Sequence, residues 1–102
     1  MIDFVPKEKK GLNQFLFDQD INPDELSVHI SEVGPGQRSH PPHKHGGLET
    51  FYVFEGNGTV EVDDERLPIG PNEAILIDPT KLHGIVNTGS VPMRYMVIIS
   101  RS

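Results

Sequence analysis

The stretch HPPHKHGGLETFYVFEG, residues 40–56, combines closely spaced histidines, a carboxylate and a run of β-favouring residues. Side chains two positions apart point to the same face of an extended chain, so His43 and His45 should project together. Glu49 lies four positions beyond His45 and shares that face if the two intervening glycines stay extended. Two imidazoles and a carboxylate that project together can chelate a divalent ion such as Fe, Mn, Ni, Cu or Zn.

Turn-forming residues divide the rest of the chain into short segments. Gly, Pro, Asn and Asp recur every several residues, and no stretch between them carries an apolar pattern with the helical period. The segments between them favour strands, and about eight short strands at this spacing are typical of an antiparallel sandwich or barrel. The predicted fold class is therefore all-β, with strands expected over 13–17, 25–33, 49–55, 58–63, 65–69, 73–77, 83–87 and 93–99.

Alternation within these segments predicts which faces are buried. In segment 25–33, Leu26, Val28 and Ile30 alternate with polar residues, so we expect His29 to face solvent or an interface. Segments 49–55, 73–77 and 93–99 are apolar on both faces and are expected to be covered on both. Phe51 and Val53 share the parity of Glu49 and should line the interior, whereas the pattern leaves open whether Arg94 or Tyr95 points inward.

Length, charge and composition exclude several classes of protein. The chain has 102 residues, which fits a single domain spanning residues 1–102. Nine Lys and Arg against fifteen Asp and Glu give a net charge of -6, which disfavours nucleic acid as a partner. The absence of cysteine excludes disulfides and thiolate metal sites. No apolar run approaches the roughly 20 residues of a membrane helix or forms a secretory signal, so we expect a cytoplasmic protein with no membrane partner.

Two motifs then give the sequence a specific resemblance. His43-x-His45-x3-Glu49-x6-Gly56 resembles the first signature of the cupin superfamily, with Gly36 as its leading glycine, so motif one covers residues 36–56. Gly36 lies one residue farther from His43 than that signature states, which implies a slightly longer loop.

The second signature is similar to residues 72–87, aligned on His83 and Asn87. Asn72 stands in place of the first glycine, and Asp78 and Thr80 replace a proline and the second glycine. Asn tolerates positive φ better than most residues, and the Asp78-Pro79-Thr80 sequence still favours a turn. We therefore expect the loop before His83 to keep its turn despite these departures.

The resemblance implies a small single-domain cupin (a monocupin of cupin type 2). Its fold would be a single antiparallel double-sheet β-barrel, the cupin jelly roll. It also implies one divalent transition metal ion per chain, with Mn or Fe favoured and Zn, Ni or Cu as alternatives. The ligands carried over by this resemblance are His43, His45, Glu49 and His83.

The function implied by the resemblance is a metal-dependent enzyme of oxygenase, isomerase or lyase type acting on a small polar organic substrate. No catalytic residue is assigned, and a non-catalytic cupin that binds or senses a small ligand is the alternative. His40 is either a group at the rim of the site or an exposed loop histidine. Apolar segments in excess of one small core, together with the resemblance, predict a homodimer.

Overall fold

The computed structural model describes residues 1–101, which form nine β-strands and no helix. The strands are β1 (Phe4–Pro6), β2 (Leu16–Asp18), β3 (Leu26–Val33), β4 (Leu48–Glu55), β5 (Gly58–Val62), β6 (Glu65–Ile69), β7 (Ala74–Ile77), β8 (His83–Asn87) and β9 (Met93–Ser100). The all-β prediction is confirmed. None of the described residues belongs to a helix that could cross a bilayer.

Two antiparallel sheets face each other in a jelly roll. One has the strand order β3-β9-β4-β7, the other has the order β6-β5-β8, and β1 and β2 form a separate pair. Apart from an isolated bridge between His43 and His83, the strand ladders among residues 1–101 do not continue from one of these sheets into the other. The expected double-sheet jelly roll is therefore confirmed, although strand ladders do not close the two sheets into one continuous barrel within these residues.

The core lies between these sheets and draws side chains from both. Except for Glu55 at the end of β4, the odd-numbered residues of β4 and β9 are buried, including Phe51, Val53 and Tyr95. Val60 of β5 and Ile85 of β8 meet them from the opposite sheet. Tyr95 is 2% exposed and Arg94 lies on the outer face, which answers the question left open by the sequence pattern.

The predicted orientation of β3 is wrong. His29 pairs with Val97 and Ser31 pairs with Tyr95 in the register with β9, and both partners are buried inward-facing residues. Opposed residues of an antiparallel pair lie on the same face, so the odd-numbered residues of β3 face the interior. The apolar alternation instead marks the outer face, where Leu26 is exposed and Val28 and Ile30 are half-buried.

The outer face of the larger sheet is also less covered than predicted. The outward residues of β4 and β9 are mostly half-buried, and Leu76 of β7 is 67% exposed. The doubly apolar segments therefore bury one face fully and leave the other partly open in the single chain.

The N-terminal segment departs most from the predicted strands. The strand expected over 13–17 lies at Leu16–Asp18, and its partner Phe4–Pro6 was not predicted. The register places Val5 opposite Phe17. Three-residue strands carry too little alternation to be seen in sequence, because the period of two needs about four residues to stand out.

Candidate metal centre

A backbone bridge brings the two motifs together. The amide N–H of His43 donates to the carbonyl of His83 at 3.1 Å, and the His83 N–H donates back to His43 at 3.0 Å. This reciprocal pair is an isolated antiparallel bridge between a loop and the first residue of β8. Directly opposed residues carry side chains on one face, so the bridge places the two imidazoles side by side, with ring centroids 4.7 Å apart.

The turn at residues 78–80 positions two carbonyl groups, those of Pro79 and Lys81, which contact His45 and His83. Asp78 Oδ1 accepts hydrogen bonds from the Thr80 N–H at 3.0 Å and from the Thr80 hydroxyl at 2.6 Å, which closes the expected Asp-Pro-Thr turn. The carbonyl of Pro79 in this turn accepts the His45 N–H at 2.8 Å. Beyond it, the Lys81 carbonyl lies 2.9 Å from Nδ1 of His83. Asn72 adopts φ 62°, as the sequence predicts.

Glu49 reaches the same point from β4. It is 3% exposed and pairs with Ile77 of β7. The chain between His45 and Glu49 is not one extended strand, because it bends at Gly46–Gly47 and Gly47 adopts φ 88°. Parity along an extended chain therefore does not explain why these two side chains meet. Their convergence instead depends on the Pro79 contact on one side of the bend and the β4–β7 ladder on the other.

The structure brings the four predicted ligands together. One ligand atom each from His43, His45, Glu49 and His83 lies within 4.8 Å of the others. Glu49 Oε1 is 2.7 Å from Nε2 of His45 and 3.1 Å from Nε2 of His83. His83 is 1% exposed, whereas His43 and His45 are partly open toward solvent. The cluster could hold a metal ion between the buried Glu49 and His83 on one side and the partly exposed His43 and His45 on the other.

The hydrogen bonds made by Nδ1 of His45 and of His83 leave Nε2 of each ring directed toward Glu49. Nδ1 of His45 is 2.9 Å from the Gly46 carbonyl, and Nδ1 of His83 is held by the Lys81 carbonyl. A carbonyl oxygen only accepts, so each Nδ1 carries a proton, and in the tautomer that binds a metal the Nε2 lone pair is then on the side of Glu49. Two Nε2 atoms so close to one carboxylate oxygen need a positive charge between them, which either a proton on Nε2 or a bound cation would supply. The donor set therefore fits a divalent transition metal.

Electrostatics within the cluster favour a neutral His43. Partial burial lowers the pKa of His43, and the neighbouring imidazoles of the cluster and of His40 lower it further. The Glu49 carboxylate acts in the opposite direction. A neutral imidazole is the form that binds metal, so this environment prepares His43 as a ligand near neutral pH.

His40 lies beside the cluster without belonging to it. Its side chain is exposed, and its ring centroid is 4.5 Å from that of His43. Both of the sequence-based interpretations of His40 therefore hold, since it is an exposed loop residue and it stands at the rim of the site.

Asn87, which closes the second motif, holds backbone segments together through its side-chain amide. It is fully buried, and its Nδ2 donates to the carbonyls of Val33 at 3.1 Å and Val91 at 2.8 Å, while Oδ1 accepts the Gly89 N–H. The side chain thus ties the end of β3 to the turn before β9. The motif position alone did not assign this role.

Comparison with known proteins identifies the family. Residues 29–99 match the family model described as the cupin domain. Auxin-binding protein 1 of Arabidopsis thaliana is 30% identical over 86 residues, which cover 76% of this chain and 43% of that protein. The oxalate-binding protein of Thermotoga maritima is 29% identical over 58 residues, which cover 56% of this chain and 48% of that protein. The chain spans about half the length of the curated relatives it matches.

Solved structures agree with this assignment. The crystal structure of a cupin superfamily protein from Desulfitobacterium hafniense matches with a TM-score of 0.71 and 15% sequence identity, covering 80% of this chain and 72% of that one. At this identity the match shows the shared fold. Together with the family model, which covers most of the chain, these findings show that the protein belongs to the cupin family.

Proposed function

We propose that this cupin binds one divalent transition metal ion per chain through His43, His45, Glu49 and His83 and uses it to hold a small polar organic molecule. The observation that carries the proposal is the approach of two Nε2 atoms to one buried carboxylate oxygen, at 2.7 and 3.1 Å. Mn or Fe fits the mixed imidazole and carboxylate donor set, and Zn, Ni and Cu are the alternatives.

The residues of the chain perform distinct tasks in such a site. Glu49 supplies the negative charge, and its burial at 3% exposure keeps water from screening it. The Gly46 and Lys81 carbonyls fix the proton on Nδ1 of His45 and His83, which orients both rings. A bound ion would supply Lewis acidity toward a carboxylate, carbonyl or enediol oxygen of the ligand.

Turnover of the bound molecule is the first candidate activity. An enzyme of oxygenase, isomerase or lyase type would use the positions that four protein ligands leave open in an octahedron. Binding without turnover is the second candidate, and it is favoured by the names of two relatives, an auxin-binding and an oxalate-binding protein. Fold alone does not choose between them.

Metal stoichiometry tests the ligand set. We expect about one divalent ion per chain by elemental analysis of protein purified without a His tag, because four side chains converge on one point. His43→Ala and His83→Ala should each lose most of this affinity, whereas the control His29→Ala should keep its metal. Equal losses in the control and in His83→Ala would contradict the assignment.

Chelation should lower the melting temperature in a manner that depends on pH. At free metal about 100 times Kd, binding adds about 2.7 kcal/mol to the free energy of unfolding, which corresponds to about 10 °C or more at this size. Protons compete with the metal for the imidazoles of the folded chain, and the lowered pKa of His43 places its part of this competition below the ordinary value of about 6.5. The stabilisation is therefore complete above that pH and is lost as pH falls toward about 5.

Melting curves with and without chelator at pH 7.5 and pH 5 measure this effect. We expect a clear decrease at pH 7.5, a vanishing difference at pH 5, and a chelated protein that still melts cooperatively because its core is apolar. Coincident curves at pH 7.5, in protein shown to be loaded at the start, would exclude a tight site.

A screen for turnover separates the two candidates. Mn-loaded and Fe-loaded protein is mixed with a panel of small organic acids and followed by oxygen uptake and ultraviolet absorbance. The enzyme proposal expects consumption of at least one compound at a rate abolished in His83→Ala. Saturable binding of the same compounds without any change in them would favour the binding module.

We further propose that the chain forms a homodimer through the outer face of the larger sheet. Leu76 is 67% exposed and Leu26 is 51% exposed there, beside half-buried residues of β4 and β9. Covering these exposed apolar side chains in a dimer would gain hydrophobic free energy. Light scattering at micromolar concentration should give twice the chain mass, and Leu76→Lys should shift the mass toward the monomer. A monomer mass for the unaltered protein would refute this proposal.

A further inference from the structure

The loop that leads to His43 is longer than the strand edge that it follows. At one end Asn87 of β8 donates its N–H to the Gln37 carbonyl at 3.0 Å, and at the other end His43 is bridged to His83. Six positions separate Gln37 from His43, whereas four separate Asn87 from His83. The loop therefore cannot stay paired along β8, and residues 38–42 leave this edge as an arch. The additional residue between Gly36 and His43 that the sequence shows lies in this loop.

The side chain of Arg38 holds the arch on the outer face of the smaller sheet. Its Nη1 donates to Oε1 of Glu61 at 2.7 Å. A Cβ placed on Gly84 would lie 3.4 Å from the same Nη1 and 3.6 Å from Pro42, so both ends of the arch pack over this glycine. Gly84 opposes Glu61 in the register and follows His83, so it faces away from the histidine cluster.

Glu61 also pairs with a second arginine, which belongs to the sheet and not to the arch. Oε2 of Glu61 lies 3.2 Å from Nη1 of Arg66, its register partner on β6. The side chain of Arg38 is 31% exposed, whereas that of Arg66 is 61% exposed. A partly buried ion pair is screened less by solvent and salt than an exposed one, so the Arg38 pair is the stronger of the two.

The arch touches the metal centre through His40. The ring of His40 packs against that of His43 with centroids 4.5 Å apart. The rings of His45 and His83 are each fixed by a carbonyl at Nδ1, but among residues 1–101 no hydrogen bond reaches the ring of His43. The orientation of His43 therefore depends on its backbone bridge and on the position of the arch.

We propose that Arg38 is a positioning residue for the metal centre. By fixing the arch to Glu61 on the outer face of the sheet, it holds the backbone before His43 and the ring of His40 in place, and thereby sets the direction of the His43 imidazole. This inference rests on the proposed function, since it takes His43 as a metal ligand. Ordering a long loop costs conformational entropy, and the Arg38 pair offsets part of that cost before the ion binds.

Metal affinity in a matched pair of variants tests this role. Arg38→Met and Arg66→Met each remove one arginine from the same carboxylate, but only the first releases the arch. Co(II) is the probe, titrated in competition with a chromophoric chelator at pH 7.5. We expect Arg38→Met to weaken binding about tenfold, the lower end of the effect of contacts that orient metal ligands, and Arg66→Met to bind as the unaltered protein does. Glu61→Gln should weaken binding similarly, and adding Arg38→Met to it should cause no further loss, because both remove one interaction.

Hydrogen exchange of the metal-free protein provides a readout that does not depend on the ion. The His43 N–H, which donates to the His83 carbonyl, should exchange about tenfold faster in Arg38→Met, while the amides of β5 keep their rates. An ion pair that only stabilises the fold would instead change both sets of rates together.

The inference is overturned if Arg38→Met binds Co(II) as tightly as Arg66→Met, if the His43 amide keeps its rate, or if the amides of β5 accelerate equally. Failure of the proposed function looks different, because the unaltered protein then takes up no Co(II) at all.

Discussion

The reciprocal hydrogen bonds between the backbones of His43 and His83 are the constraint on which the site depends. They join a loop of the first motif to the first residue of β8, and the backbones of Gly36 and Gln37 in the same loop bond to Asn87 at the other end of that strand. An antiparallel bridge fixes the direction of both side chains at once. The bridge therefore brings together the imidazoles of His43 and His83, which are 40 positions apart in the sequence.

Around that bridge, the residues of the cluster are held in place by contacts with residues outside the cluster. The Asp78-Pro79-Thr80 turn presents carbonyls to the His45 backbone and, through Lys81, to the His83 ring. Such outer contacts fix the tautomer and the ring orientation, and they turn four flexible side chains into a preorganised donor set. Glu49 lies at the centre because β4 is paired on both sides, with β7 and β9.

The interior is not uniformly apolar, because β3 places polar side chains on its inner side. The inward side of this edge strand carries Ser27, His29 and Ser31 before Val33, and the other aliphatic residues face outward. A strand whose apolar residues are on the outside needs another reason for its orientation. The register with β9 and the backbone contacts of the N-terminal segment, including the Ile30 N–H donating to the Lys10 carbonyl at 2.8 Å, supply it.

The sequence by itself determined the all-β class, most strand positions and the identity of the four clustered residues, because alternation, turn chemistry and motif spacing are local properties. It also anticipated the turn at Asp78 and the positive φ of Asn72. Only the tertiary structure decided the orientation of β3, the inward position of Tyr95 and the structural role of Asn87. A strand that carries apolar residues on one side and small or amphipathic ones on the other can bury either face. Which face turns inward depends on the register with its neighbour, and that register is fixed by contacts far apart in the chain.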